Sequence, residues 1–184
     1  MTTFVDLLRA VNVSGQNRLP MAELRAALEE AGFERVETYV QSGNVVCDAP
    51  GGEPDAHAAA VHDLIAGRFG LDVVVLALTA AELAGVAAAN PFAAEDPAVD
   101  PKWLHVTFLA TPAAAAAFEA LKLPAAEGEA AVLSSGGRLV YLRLPHGYGR
   151  TKLTNAWFER ALKTPATTRN WRTVQTLDEL AARH

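Results

Sequence analysis

One order of segments, β-α-β-β-α-β, can be traced through this 184-residue chain and then begins again, and that order constrains the fold more than any other feature. Segment 3–13 is apolar and β-branched and predicts a strand. A turn-rich stretch, 15–20, leads to 21–31, where Met21, Leu24, Leu28 and Ala31 recur at helical spacing between Pro20 and Gly32. Proline at the first turn and glycine just past the end punctuate a helix. Segments 36–40 and 45–47 read as short strands joined by Gln41-Ser42-Gly43-Asn44, a hairpin signal. A helix over 55–69, a strand over 71–78 and a helix over 80–89 follow, the last stopped by Asn90-Pro91.

The stretch 92–102 is rich in Pro and Asp and reads as a linker. Beyond it come a strand at 103–109, a helix at 112–121 and a hairpin of 131–134 with 138–144 around Gly136-Gly137. A helix at 154–162 follows. Trp171, Val174, Leu177 and Leu180, three apart, predict a helix over 168–182 where a fourth strand would otherwise stand. Both halves therefore read as split-βαβ units. The expected fold is α+β, two ferredoxin-like units with antiparallel sheets, over residues 1–90 and 103–184, joined by 91–102.

Hydrophobic residues make up 51% of the chain and charged residues 20%, enough for a packed core. Much of the apolar share is alanine, which buries little area, so the core must rest on the larger side chains. A single cysteine, Cys47, rules out a disulfide within the chain and fits a reducing cytoplasm. Residues 1–6 lack the basic start of a signal peptide, and no apolar run reaches spanning length, so neither export nor a membrane partner is expected. The net charge of −5 is uneven. Residues 138–184 hold nine Lys and Arg against three Asp and Glu, a net of +6, which leaves −11 for residues 1–137. Such a basic region either meets the acidic part of the chain or meets an anionic partner.

Three segments together resemble one bacterial family. They are Leu8-Arg9-Ala10-Val11-Asn12-Val13-Ser14-Gly15, then Thr38-Tyr39-Val40-Gln41-Ser42-Gly43-Asn44-Val45-Val46, then Arg150-Thr151-Lys152-Leu153-Thr154-Asn155 leading to Ala166-Thr167-Thr168-Arg169-Asn170-Trp171-Arg172-Thr173-Val174. The chain is similar over nearly its whole length to the family of domain of unknown function 1697. Ser14 stands where many relatives have glycine. The resemblance implies an α+β fold of ferredoxin-like character and no established activity, so function has to come from the residues.

Two constellations follow from the expected topology. In a split-βαβ unit the first two strands run parallel, so the 12–18 loop and the 41–44 hairpin fall at one end of the sheet. That end gathers Asn12, Ser14, Gln16, Asn17, Arg18, Gln41, Ser42 and Asn44, with Gly15 and Gly43. It is a candidate small-molecule or anion site next to a helix start, or a set of turn residues. In the second half, alternation places Trp103, His105 and Thr107 on one face of a strand, and Leu139, Tyr141 and Arg143 on one face of its expected neighbour. Trp103, His105, Tyr141 and Arg143 then form a candidate stacking platform for bases, or a packing face. Beside it lies a basic stretch with Arg150, Lys152, Arg160, Lys163, Arg169 and Arg172 against Glu159, opening on Gly147 and Gly149 before a helix capped by Thr151 or Thr154. Arg150, Lys152, Arg169 and Arg172 are the candidate phosphate contacts.

Cys47 reads as a small buried hydrophobe rather than a thiolate. None of His57, His62, His105, His146 and His184 forms an i,i+4 pair, so no metal and no cofactor is expected. Three functions stay open: binding of nucleic acid or a phosphorylated molecule through the basic region, small-molecule enzymology at the loop end, or a structural role. Oligomeric state is not legible.

Overall fold

A computed structural model describes residues 1–13 and 15–184; Ser14, a member of the first constellation, lies outside the described residues. The elements in chain order are β1 (Thr2–Leu8), α1 (Met21–Glu30), β2 (Glu34–Tyr39), β3 (Asn44–Ala49), α2 (Pro54–Phe69), β4 (Val75–Thr79) and α3 (Ala80–Ala88). They continue as α4 (Pro91–Glu95), β5 (Leu104–Leu109), α5 (Ala115–Glu119), β6 (Ala130–Leu133), β7 (Leu139–Arg143), α6 (Asn155–Leu162), β8 (Ala166–Asn170) and α7 (Trp171–Ala181). The strands form two four-stranded antiparallel sheets, ordered β2-β3-β1-β4 and β6-β7-β5-β8. That order is the split-βαβ arrangement, twice. No described helix is long and apolar enough to cross a membrane.

The chain divides into two compact units, one of Met1–Val86 with Thr176–His184, the other of Ala87–Gln175. In the first, β1 pairs with β3 so that Phe4 faces Cys47 and Asp6 faces Val45. Register partners share a face, and Val45 and Cys47 belong to a core completed by Leu24 and Leu28 of α1 and by Val61 and Ile65 of α2. The same face of β1 therefore carries Phe4, Asp6 and Leu8 into that core. In α2 the buried residues are His57, Val61 and Ile65, one turn apart each. This spacing aims a single stripe at the sheet, and His57 is its first member. In the second unit Leu109, Val140 and Leu142 pack with Phe118, Leu153 and Phe158.

The structure corrects three expectations. The last segment is not helical from 168. Residues Ala166–Asn170 form β8, pairing with β5 from His105↔Asn170 to Leu109↔Ala166, and the helix starts at Trp171. The β-branched pair Thr167-Thr168 favours the sheet, while the three-residue spacing that suggested a helix begins only at Trp171. The stretch read as a linker holds α4, whose N-cap Asn90 accepts from the Phe92 amide at 3.1 Å, and a 3-10 turn at Pro101–Trp103 capped by Asp100. Lastly, the register of β5 on β7 sets His105 opposite Leu142 and Tyr141 opposite Val106. His105 and Tyr141 thus lie on opposite faces. Alternation within each strand is as expected, but the phase between strands differs by one residue, which turns every side chain over.

Candidate functional site

The helix-covered face of the first sheet contains a buried ionisable cluster. Asp6 is fully buried in the middle of β1, Cys47 is fully buried on β3, and His57 is 7% exposed near the start of α2. A carboxylate in such a place costs several kcal/mol unless it is paired. Its partner is His57, whose Nε2 lies 3.2 Å from Oδ2; an ionised carboxylate only accepts, so the imidazole is the donor. The Cys47 thiol points to the same oxygen at 3.9 Å and lies 3.9 Å from His57 Nε2. Asp6 Oδ1 is 3.0 Å from Nε2, in ion-pair range, yet makes no hydrogen bond of its own. One oxygen of a buried carboxylate is thus left unsatisfied among the described residues. Burial, and then the Asp6 charge, push the Cys47 thiol far above its usual range, so it is a protonated, inert group as the chain stands.

The imidazole is held on both sides. Its ring stacks on Phe4 at 3.9 Å between centroids and takes the edge of Phe33 at 5.5 Å. It also lines a cavity of about 430 Å³ with Ala31, Gly32, Phe33, Ala49, Pro50, Gly51, Gly52, Glu53, Ala56 and Ala60. The cavity is therefore walled by small and apolar groups, and carries one histidine and one carboxylate. With Nε2 engaged by Asp6, Nδ1 is the ring nitrogen left for a ligand. A rigid imidazole oriented by a carboxylate is suited to accept or give a proton at the free nitrogen.

Next to Cys47, on the other face of β3, Asp48 receives hydrogen bonds from Thr3 Oγ1 at 2.8 Å and from Arg35 Nε, while His184 Nδ1 stands 3.3 Å away. Burial works to raise this carboxyl, but the bonds from Thr3, Arg35 and His184 outweigh it and hold it below the usual carboxylate range. His184 also has Glu37 at 3.5 Å. This network ties the 176–184 segment to β2 and β3 and is structural in character.

The loop-end residues do meet, with most of the bonds of Asn12, Asn17 and Asn44 made to backbone. Asn12 donates to the Leu19 and Gln41 carbonyls, both at 2.8 Å, and accepts from the Leu19 amide at 2.9 Å. Asn17 donates to the Ala10 carbonyl, and Asn44 to the Tyr39 carbonyl and Ser42 Oγ. Asn12 and Asn17 adopt positive φ, as does Gly15. These amides bond the turns that the topology requires.

The second constellation is dispersed. Tyr141 is 3% exposed on the face opposite His105, and His105 stacks on Tyr148 at 5.3 Å. Burial lowers the His105 imidazole below its usual value. Trp103 is half-buried in the 3-10 turn. Arg143 stands over the Phe92 ring at 5.1 Å and 3.7 Å from Glu95. Of the four cations singled out, Arg169 is buried, donating to Thr167 Oγ1 at 2.8 Å and the Thr168 carbonyl at 3.1 Å, and burial pulls its guanidinium down to about 10. Arg150, Lys152 and Arg172 are exposed. Thr154 caps α6 by accepting from the Trp157 amide at 3.2 Å, and Thr151 instead bonds Glu129 at 3.0 Å. The cluster of Asp6, Cys47 and His57 escaped the sequence reading because its members lie up to 51 positions apart. One signal was available: an acid at position 6, in phase with Phe4 and Leu8 on an apolar strand.

Comparison with known proteins adds the fold and the family. The family model described as "Protein of unknown function (DUF1697)" matches residues 1–141. A solved structure of a conserved bacterial protein from Streptococcus pneumoniae is similar over 98% of each chain, with a TM-score of 0.71 and 23% identity. At that identity the likeness is one of fold. The chain has no significant match among curated proteins.

Proposed function

We propose, for a chain that belongs to the DUF1697 family of proteins of unknown function, that the first unit binds a small molecule in the cavity at His57, and that His57 exchanges a proton with it. The observation that carries this reading is the double role of one side chain: His57 lines the cavity and is oriented from behind by buried Asp6 at 3.0 and 3.2 Å. A mostly apolar pocket with a few convergent polar groups is the ordinary form of a small-molecule site. The lining contains no Lys or Arg and includes Glu53, which favours a neutral or cationic molecule over a phosphorylated one. The test is a fragment screen followed by the imidazole resonances of His57. Bound fragments should shift those resonances, and His57→Gln should lose the binding. Fragments that bind His57→Gln as well as the parent chain would refute the reading.

A second reading rests on the exposure of Arg150 and Lys152 ahead of α6: weak binding of an anion, nucleic acid or a phosphorylated molecule, at that surface of the second unit. The burial of Arg169 and Tyr141 removes two members of the larger set that sequence suggested.

A further inference from the structure

We propose that Asp6, Cys47 and His57 form a binding site for a divalent transition-metal ion of the zinc class. The proposal concerns the same cluster as the cavity reading but rests on the donor atoms, not on a cavity ligand. Three chemically different donors, a carboxylate oxygen, a sulfur and an imidazole nitrogen, converge on one buried point. Nε2 and Oδ2 are 3.2 Å apart, and Sγ is 3.9 Å from each. Metal–ligand bonds of about 2.0–2.3 Å at tetrahedral angles require edges of roughly 3.3–3.6 Å. The three atoms therefore already approximate one face of a tetrahedron and need to close by only a few tenths of an ångström. Asp6 Oδ1, buried without a hydrogen bond although His57 Nε2 lies 3.0 Å away, is a second observation: it leaves the carboxylate with acceptor capacity that an ion would use.

Charge and softness select the ion. A dication with one thiolate, one carboxylate and a neutral imidazole is electrically neutral, the condition for a buried site to form without a large desolvation cost. Sulfur and imidazole donors exclude calcium and magnesium, which take oxygen. The proton balance is explicit. The Cys47 thiol gives its proton to solvent as the sulfur–metal bond forms. The Nε2 proton of neutral His57 moves to Nδ1, so that Nε2 can donate its lone pair. Each ion bound to the neutral-imidazole form thus releases a proton, and affinity rises with pH. The protonated thiol of the metal-free chain does not oppose this, since a coordinating metal deprotonates a thiol outright.

The experiment uses the full chain, stripped with chelator and titrated with cobalt(II) as the probe. A site of this kind gives a thiolate-to-cobalt charge-transfer band in the near ultraviolet with the visible bands of four-coordinate cobalt, saturating at one ion per chain and displaced by zinc. Cys47→Ser should lose the charge-transfer band, and Asp6→Asn should weaken binding about tenfold or more. Circular dichroism establishes that each variant is folded, and Cys47→Ala serves as a second sulfur-free variant. A folded parent chain without the charge-transfer band overturns the proposal, as does a band that survives Cys47→Ala. The two readings fail separately. Fragment binding at His57 without a cobalt band removes the metal site alone, and a cobalt band without fragment binding removes the cavity reading alone.

Discussion

At the scale of single residues, the informative fact is that Asp6 and His57 depend on one another. Neither belongs in an apolar core alone, and both are there. Removing one partner of a buried pair strands the other. In chelator, His57→Leu should therefore cost about 3–5 kcal/mol in urea unfolding, whereas adding Asp6→Val to it should restore much of that loss. The check is a double-mutant cycle, and simple additivity would show that the contact carries no coupling. Asp48 gives a pH-dependent counterpart. Its folded pKa lies below the ordinary value, so its contribution is fully present above the unfolded carboxyl pKa and fades as pH falls through the folded one. Asp48→Asn should be less stable than the parent chain at neutral pH, and the difference should shrink toward strongly acidic pH. Urea midpoints measured across that range decide it; a constant difference would mean that the bonds from Thr3, Arg35 and His184 carry no linkage.

Elements are held in register by glycines whose freedom is sterically necessary. Gly43, at φ +80°, lies so close to the end of β1 and the loop after it that an added Cβ would meet Val11 Cγ2 at 2.4 Å and Leu8 Cβ at 2.7 Å. Gly137, at φ +72°, would place one 2.3 Å from the Ala113 carbonyl oxygen, which is backbone and cannot swing aside. Gly70, the left-handed end of α2, has open space around it. Gly70→Ala should thus cost only the left-handed penalty of about 1–2 kcal/mol, and Gly137→Ala distinctly more; equal thermal shifts in the two would refute the steric account. Both hairpin glycines were legible in the sequence, as was most of the element order, because turn chemistry and apolar spacing are local. What was not legible was non-local. The phase of β5 against β7 depends on pairing, so the platform of Trp103, His105, Tyr141 and Arg143 could be drawn from alternation yet not occur. β8 declared itself only by pairing with β5. Position 6 carried a hint of the buried cluster, but its partners at 47 and 57 come near only when β3 and α2 pack on β1.

For the whole molecule, the uneven charge resolves into distinct fates for individual cations: Arg143 meets Glu95, Arg169 is buried, and Arg150 and Lys152 face solvent. If the exposed pair serves an anion, binding of short single-stranded RNA should be saturable at low salt, weaken steeply as salt rises, and fall in the Arg150→Ala, Lys152→Ala double variant. No saturable binding at low salt would end that reading. The division of the chain has its own consequence. The first unit is assembled from Met1–Val86 and Thr176–His184, whereas the second, Ala87–Gln175, is continuous. During vectorial synthesis on a ribosome the continuous unit has all its residues earlier, although it is encoded later than most of its neighbour. The first unit's sheet and core lie within Met1–Val86, but the contacts of the 176–184 segment, including the histidine that approaches Asp48, can close only after the second unit has been made. Nascent chains arrested after Gln175 has emerged should therefore show full protease resistance in Ala87–Gln175 but a first unit less resistant than in the released chain, and equal resistance of both would show that the late segment adds nothing.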